Sequence, residues 1–142
     1  SGNYDPKQFN LTRRRIKKLE AYKNEGYKIS TDNIKAIDDA SIIIIAVLPQ
    51  KINDVLKELK AHFNKDQLII SLVSGVSINE ITDIIGLGSP IVRAMPNTAI
   101  AIRESMTCIT TNSIWKEHLK TVKELFELVG ETAIINEEKN IS

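Results

Sequence analysis

The sequence predicts an α/β fold in which a doubly wound, mostly parallel sheet has helices on both faces. Segments of strand and helix character alternate along the chain. The apolar, β-branched run at residues 41–48 is typical of a strand that is covered on both faces. The amphipathic segment that follows it, with apolar residues at helical spacing up to Phe63, predicts one of the covering helices.

The composition is that of one folded domain. The chain has 142 residues, of which 42% are hydrophobic and 26% are charged, and its net charge is +1. The longest apolar run, residues 42–49, is far shorter than the about 18 to 20 residues of a membrane-spanning helix. The single cysteine, Cys108, cannot form an internal disulfide, which suits a reducing compartment, and we expect a cytoplasmic protein.

The strands are predicted from short β-prone or apolar segments that end at turn-forming residues. In chain order they are residues 8–12, 27–30, 41–48, 67–73, 90–94, 99–102, 106–111 and 132–136. Met95, Pro96 and Asn97 are expected to break the fifth of these strands. The remaining segments between strands are therefore candidates for helices.

Helical spacing of apolar residues predicts five helices, at residues 14–25, 32–38, 49–63, 77–85 and 115–129. Thr31 is the candidate N-cap of the second helix. Ser77 and Glu80 have the spacing of a capping box at the start of the fourth. Gly86 and Gly130 are expected to end the fourth and fifth helices.

Ligands of open parallel sheets bind beyond the carboxyl ends of the strands, so the residues after each strand are the candidates for chemistry. These are residues 12–15, 46–50, 73–75 and 95–98. The sequence holds no zinc-type Cys and His spacing, no GxSxG elbow and no Gly-rich Walker loop, and we predict no metal site. His62 and His118 fall in amphipathic helices and are expected to be solvated, and Cys108 is expected to be a small buried hydrophobe.

Thr12, Arg13 and Arg14 follow the first predicted strand, with Arg15 next to them. Guanidinium groups match phosphate geometry and stay charged at any biological pH. In dinucleotide-binding folds an acid at this position selects NAD, whereas an arginine accommodates the 2′-phosphate of NADP. No acid is present, so the residues favour NADP. A solvated helix start explains the same arginines equally well, because helix N-termini disfavour cations.

The beginning of the chain is basic. Residues 1–28 hold eight Lys or Arg and three acids, whereas the remaining residues hold eleven and fifteen. Such asymmetry suits an anionic ligand or a nucleic acid near that end. Aromatic residues are few and are not interleaved with the arginines, so we do not expect nucleic-acid binding.

Two junctions after the apolar strands have room for a ligand. Ala46 is small enough for a ligand to approach the backbone, and a helix that begins at Pro49 offers free N–H groups to an anion. Ser74 and Gly75 follow the next strand. An ordinary strand-to-helix junction and a tight turn explain the same residues.

Arg93 and Asn97 are harder to explain by packing, because an arginine before a turn and an amide within it are poor core residues. Asn97 either donates to a carboxamide or forms an Asx-turn. These two residues therefore favour a functional role for the turn after the strand at 90–94.

Five segments, in this order and spacing, resemble the cofactor-binding domain of pyrroline-5-carboxylate reductases. They are TRRR from Thr12, TDN from Thr31, IIIIAVLPQ from Ile42, LIISLVSGVSI from Leu68 and VRAMPNTA from Val92. The likeness covers nearly the whole chain. It implies a Rossmann-like fold and an enzyme that reduces the C=N bond of 1-pyrroline-5-carboxylate to L-proline with NADP(H), or with NAD(H) as the alternative.

The resemblance also implies which residues meet the cofactor. Thr12, Arg13 and Arg14 would face the adenosine 2′-phosphate, and Asn33 would lie on the adenosine side. The residues carried over along the dinucleotide are Ala46, Val47, Leu48 and Pro49, and those near its nicotinamide end are Ser74, Gly75, Met95 and Asn97. Leu48 replaces a lysine that is common in the family, which removes one cation and affects cofactor affinity or preference. No residue is assigned as a catalytic acid.

Two parts of the family pattern do not occur in this sequence: the opening strand with its GxGxxG turn, and the helical domain that forms the dimer and most of the imino-acid site. We therefore expect residues 1–142 to be a partial NAD(P)-binding domain with a gap in its sheet, inactive by itself. The intact protein is expected to be a homo-oligomer with no nucleic-acid or membrane partner. A non-catalytic dinucleotide-binding or regulatory module, or a related 3-hydroxyacid dehydrogenase, remains the alternative.

Overall fold

The computed structural model describes residues 4–102 and 104–136. The chain divides into two compact units, Ser1–Ala40 and Ser41–Ser142. Each unit has its own sheet. The predicted α/β fold with a mostly parallel sheet is confirmed. The expected gap in the sheet is also observed, because the strands form two separate sheets.

The first unit has a parallel two-stranded sheet of β1 (Asn10–Thr12) and β2 (Lys28–Ser30). Helix α1 (Glu20–Asn24) precedes β2 and helix α2 (Asn33–Asp38) follows it. The predicted helix at 14–25 is partly wrong, because its first half is a 3-10 turn at Ile16–Leu19. The N-cap of α2 is Asp32 and not Thr31, since the Asp32 carboxylate accepts from the backbone N–H of Lys35 at 3.1 Å.

The second unit has a five-stranded sheet in the order β3-β4-β5-β6-β7. The strands are β3 (Ile42–Ile45), β4 (Leu68–Ser71), β5 (Ile91–Pro96), β6 (Ser105–Thr110) and β7 (Gly130–Ile134). Strands β3, β4 and β5 are parallel, β6 is antiparallel to β5, and β7 is parallel to β6. The helices are α3 (Ile52–Leu59), α4 (Ile78–Ile85) and α5 (Leu119–Phe126). No helix within residues 4–102 and 104–136 is long and apolar enough to cross a membrane.

The main core of the second unit lies between the sheet and α5. It consists of Leu68, Ile70, Val92, Ala94, Ile109, Val122 and Phe126. The alternating residues Ile69 and Ile91 are also fully buried and point to the opposite face, because successive side chains of a strand alternate between faces. That face is covered by α3 and α4, which pack against each other. Burial on both faces explains why β4 and β5 are mostly apolar, apart from Ser71 and Arg93.

Strand β3 is not covered on both faces, so that expectation is wrong. Ile43 and Ile45 are buried, but Ile42 and Ile44 are 37% and 47% exposed. The register places Ile42 beside Leu68 and therefore on the α5 side of the sheet. The core under α5 does not extend over β3, and within the described residues β3 pairs only with β4. The consecutive isoleucines reveal strand character but not what covers the strand.

Two further expectations near the end of β5 are wrong. Met95 and Pro96 do not break the strand, since both pair with β6. The segment predicted as a strand at 99–102 is a 3-10 helix, Thr98–Ile102. A turn at Asn97 causes this difference, because its side-chain Oδ1 accepts from the N–H of Ala99 at 3.1 Å and curls the chain.

Gly130 does not close the last helix; it is the first residue of β7, paired with Ser105.

Candidate functional site

The carboxyl ends of β1 and β2 form one edge of the first unit. The two strands are parallel and in register, so Thr12 and Ser30 end side by side. The N–H of Arg13 donates to the carbonyl oxygen of Ser30 at 3.2 Å, which fixes where the chain leaves β1. The hydroxyl of Ser30 accepts from the N–H of Asp32 at 2.9 Å and turns the chain into α2. Asn33, the first residue of α2, is therefore held at the same edge.

The arginines after β1 form an exposed cationic surface. Thr12, Arg13, Arg14 and Arg15 are all exposed. In the part of the chain that the structure describes, none of these guanidinium groups is in an ion pair. Their charge is therefore not neutralised by a carboxylate, and this edge can bind a phosphate group through charge-assisted hydrogen bonds.

The carboxyl ends of β3, β4 and β5 form one edge of the second unit. Ile45, Ser71 and Arg93 lie side by side in the register, and β3 and β4 both leave the sheet directly after this row. After β3 the chain passes through residues 46–48 to a 3-10 turn at Pro49–Lys51 that leads into α3. Ala46, Leu48 and Pro49 are exposed and Val47 is half-buried.

Leu48 is 70% exposed, an unusual environment for a leucine of that size. An apolar side chain at the edge of a parallel sheet is available to a flat, uncharged ligand surface, but it offers no charge to a phosphate. Cationic recognition among the predicted residues is therefore confined to the first unit.

The loop between β4 and α4 has a defined shape. The hydroxyl of Ser71 accepts from the N–H of Val73 at 3.3 Å. Ser74 and Gly75 are exposed, and Gly75 has a φ of 69°, the left-handed region that favours glycine. The predicted capping box is confirmed, because Ser77 accepts from the N–H of Glu80 at 3.1 Å and Glu80 accepts from the N–H of Ser77 at 2.7 Å.

The same hydrogen bonds hold Glu80 ionised. The backbone N–H of Ser77 is the largest cause of a pKa below the usual value for the Glu80 carboxyl, followed by the Ser77 hydroxyl. Burial acts in the opposite direction, and the positive charge of Arg93 adds to the lowering of the pKa. A charged carboxylate accepts hydrogen bonds more strongly than a neutral one, so the box is strongest above the pKa of Glu80.

Arg93 and Asn97, which packing did not explain in the sequence, lie in different environments near the end of β5. Arg93 is only 3% exposed and lies within the sheet, in register with Ser71 and Thr110. It is therefore not presented to a ligand at the turn. Asn97 is exposed and forms the Asx-turn, one of its two expected roles, through Oδ1. Its side-chain NH₂ group has no partner among the described residues and stays available to donate.

The predicted site residues are thus distributed over two units. Thr12, Arg13, Arg14 and Asn33 lie at the edge of the first sheet. At or near the edge of the second sheet are Ala46, Val47, Leu48, Pro49, Ser74, Gly75, Met95 and Asn97. The sequence analysis missed Ser71, whose hydroxyl shapes the β4–α4 loop. Its signal was a polar residue within an apolar strand.

The other side chains with chemical potential do not form a second site. His62 is exposed, as expected, whereas His118 is half-buried with its Nε2 at 3.6 Å from Oε1 of Glu117. Cys108 is free and half-buried, in register with Met95. Within the described ranges, no three His, Cys, Asp or Glu side chains are grouped so that they could hold a metal ion.

Comparison with known proteins identifies a matching family model and several similar reductases. Residues 1–75 match the family model described as NADP oxidoreductase, coenzyme F420-dependent. Pyrroline-5-carboxylate reductase 2 of Dictyostelium discoideum is 37% identical, with the match covering all of this chain and 53% of that protein. The pyrroline-5-carboxylate reductase of Escherichia coli is 35% identical over 69% of this chain and 37% of its own length.

Solved structures of pyrroline-5-carboxylate reductases are also similar to this chain. The pyrroline-5-carboxylate reductase of Coxiella burnetii has a TM-score of 0.92 and 32% identity, over 98% of this chain and 53% of that one. A Plasmodium falciparum pyrroline carboxylate reductase with NADP bound has a TM-score of 0.73 and 26% identity, over 80% and 43%. The chain spans about half the length of the D. discoideum reductase 2 and of the C. burnetii reductase. It belongs to the NADP oxidoreductase, coenzyme F420-dependent family, and its relatives there are pyrroline-5-carboxylate reductases.

Proposed function

We propose that this chain is the NADP(H)-binding part of a pyrroline-5-carboxylate reductase. The observation that supports this most strongly is the exposed arginine surface after β1, where Arg13 and Arg14 carry no ion pair within the described residues. A doubly anionic 2′-phosphate is the group of an NADP molecule that such a surface selects. Thr12 adds a hydroxyl at the same edge.

The remaining predicted residues are assigned along the dinucleotide. Asn33 lies on the adenosine side, and Ala46, Val47, Leu48 and Pro49 line the middle of the cofactor. Ser74, Gly75, Met95 and Asn97 are placed at the nicotinamide end. The exposed NH₂ group of Asn97 suits a carboxamide oxygen, and the absence of a side chain at Gly75 allows close approach to the backbone.

When bound, NADPH would supply a hydride to the carbon of the cyclic C=N bond while the ring nitrogen takes a proton from solvent, and the protein would supply orientation and electrostatics. The arginines after β1 are assigned to the adenosine end of the cofactor, and the ends of β4 and β5 are assigned to its nicotinamide ring. We propose that the intact protein reduces 1-pyrroline-5-carboxylate to L-proline in the cytoplasm. Its substrate domain and its homo-oligomer contacts belong to segments other than residues 1–142.

Turnover tests the activity directly. The full-length protein should oxidise NADPH in the presence of 1-pyrroline-5-carboxylate and form L-proline in equal amount. A rate no higher than that of a heat-inactivated sample would contradict the proposed reaction. NADPH binding without turnover would instead indicate a non-catalytic dinucleotide-binding module.

Charge reversal tests the cofactor assignment. Arg13→Glu with Arg14→Glu should weaken NADPH far more than NADH, by about 100-fold if each arginine contributes about 1.5 kcal/mol through a charged hydrogen bond. Lys17→Glu with Lys18→Glu is the matched control, since both lysines are exposed and the change in net charge is the same. Equal losses for both cofactors, or an equal effect of the lysine control, would show that the arginines do not bind the 2′-phosphate.

A further inference from the structure

The β4–α4 loop, residues 72–77, is held by side chains at both ends and is exposed in the middle. At its start, the hydroxyl of Ser71 accepts from the N–H of Val73 at 3.3 Å. At its end, Ser77 and Glu80 exchange the two hydrogen bonds of the capping box, and the Ser77 hydroxyl also donates to the Glu80 carboxylate at 2.8 Å. Ser74 and Gly75 lie between these two anchors, at the surface.

The hydroxyl of Ser71 is not explained by packing. Ser71 is fully buried, and the other residues of β4 are Leu68, Ile69 and Ile70. Burying a hydroxyl costs free energy unless a hydrogen bond compensates for it, so an apolar residue would serve the core better. The hydrogen bond to the loop is the interaction that its hydroxyl makes in the described structure. Ser71 therefore serves the shape of the loop.

The capping box has a second role besides starting α4. Only an N-cap bond from Ser77 is needed to begin a helix, whereas the Glu80 carboxylate also holds the N–H of Ser77 itself, the last residue of the loop. Gly75 supplies the left-handed conformation that lets the chain reverse between the anchors. The loop thus has one preferred shape before any ligand is present.

We propose that Ser71, Ser77 and Glu80 are positioning residues for the cofactor, which preorganise the β4–α4 loop so that Ser74 and Gly75 meet the nicotinamide end. This inference rests on the proposed function. If the loop is ordered in advance, its ordering free energy is not subtracted from the binding free energy. Releasing either anchor lowers the fraction of binding-competent molecules, which raises the apparent dissociation constant by the same factor.

Steady-state kinetics of the full-length protein test the proposal. Ser71→Ala and Ser77→Ala should each raise KM for NADPH by about fivefold, the equivalent of one net hydrogen bond of about 1 kcal/mol. The kcat at saturating NADPH should stay within about twofold of wild type, because the bound loop regains its shape. Ser77→Thr keeps the hydroxyl and should restore the wild-type KM.

Thr82→Ala is the matched control. It removes a hydrogen bond of 2.9 Å from the Thr82 hydroxyl to the Asn79 carbonyl on the same helix, away from the loop. It should leave KM for NADPH unchanged. The proposal is overturned if KM in both Ser→Ala variants stays at the wild-type value, or if Thr82→Ala raises it equally. A wild-type protein that does not bind NADPH would overturn the proposed function first, which a direct NADPH titration distinguishes.

Discussion

Substitution of Gly130 by alanine is the most direct test of how β6 and β7 pair. Gly130 has a φ of 151° and pairs with Ser105 at the start of the β6–β7 ladder. A methyl group added at Gly130 would overlap the carbonyl oxygen of Ser105 and lie 2.5 Å from its backbone N and 2.7 Å from its carbonyl carbon. These atoms belong to a paired strand and cannot rotate away, so Gly130→Ala must separate β7 from β6.

The expected loss has two parts. A non-glycine residue held at such a φ costs about 1 to 3 kcal/mol. Forcing a methyl group into packed backbone costs about another 1 to 3 kcal/mol. The total of about 2 to 6 kcal/mol is a large fraction of the 5 to 15 kcal/mol typical of a folded domain, so the variant should be strongly destabilised or should lose β7.

Urea unfolding followed by circular dichroism measures this loss. Gly88→Ala is the matched control, because no atom lies within 4 Å of its added methyl group and its φ is outside the left-handed region. The midpoint for Gly130→Ala should fall by about 1 M or more, whereas that for Gly88→Ala should stay near wild type. A wild-type midpoint for Gly130→Ala would refute the pairing of β6 with β7 in this register.

Two further predictions concern β3 and the capping box. In the chain of residues 1–142, Ile45→Ala should lower the free energy of unfolding by about 2 to 5 kcal/mol, because Ile45 is buried. Ile44→Ala, at a half-exposed position of the same strand, should lower it by only about 1 kcal/mol. Equal losses in urea unfolding would show that both faces of β3 are covered. The lowered pKa of Glu80 stabilises the folded state above its ordinary value of 4.5, and this contribution is lost as the pH falls through the lower folded-state pKa. Glu80→Gln should therefore lose less stability than wild type when the pH is lowered from neutral to below 4.5, and thermal unfolding at both pH values should detect the difference. An equal loss in both proteins would mean that the carboxylate is not stabilised by Ser77.

The sequence was most informative where local chemistry determines the structure. The bounds of α4 follow from the Ser77–Glu80 box and from Gly86, both of which act within a few residues. The strand character of β4 and β5 was also predictable from the apolar and β-branched residues that make up most of each strand. Local signals of this kind do not depend on the rest of the fold.

Predictions that depended on distant contacts failed. The isoleucines of β3 have the pattern of a doubly covered strand, but coverage is decided by what packs on it, and the α5 core stops short of Ile42 and Ile44. Gly130 looked like a helix end, whereas the close approach of Ser105 is what requires a glycine there. The residues of the α5 core are distant in sequence from β3, and Ser105 is distant in sequence from Gly130.

Some features of the candidate site were likewise predictable from local sequence, and others were not. The exposed arginines after β1 and the turn at Asn97 follow from position relative to the strands. The burial of Arg93 and the role of the Ser71 hydroxyl require coordinates, because both depend on which residues lie beside them in the sheet and in the following loop.

The central claim of the proposed function is that the exposed arginines after β1 bind the 2′-phosphate of a phosphorylated nicotinamide cofactor. A crystal structure of the full-length protein with NADPH tests it most directly. The account predicts the 2′-phosphate within hydrogen-bond distance of the Arg13 and Arg14 guanidinium groups and the nicotinamide beside Ser74 and Asn97. A 2′-phosphate that contacts neither arginine, or a cofactor bound away from the carboxyl ends of the strands, would contradict it.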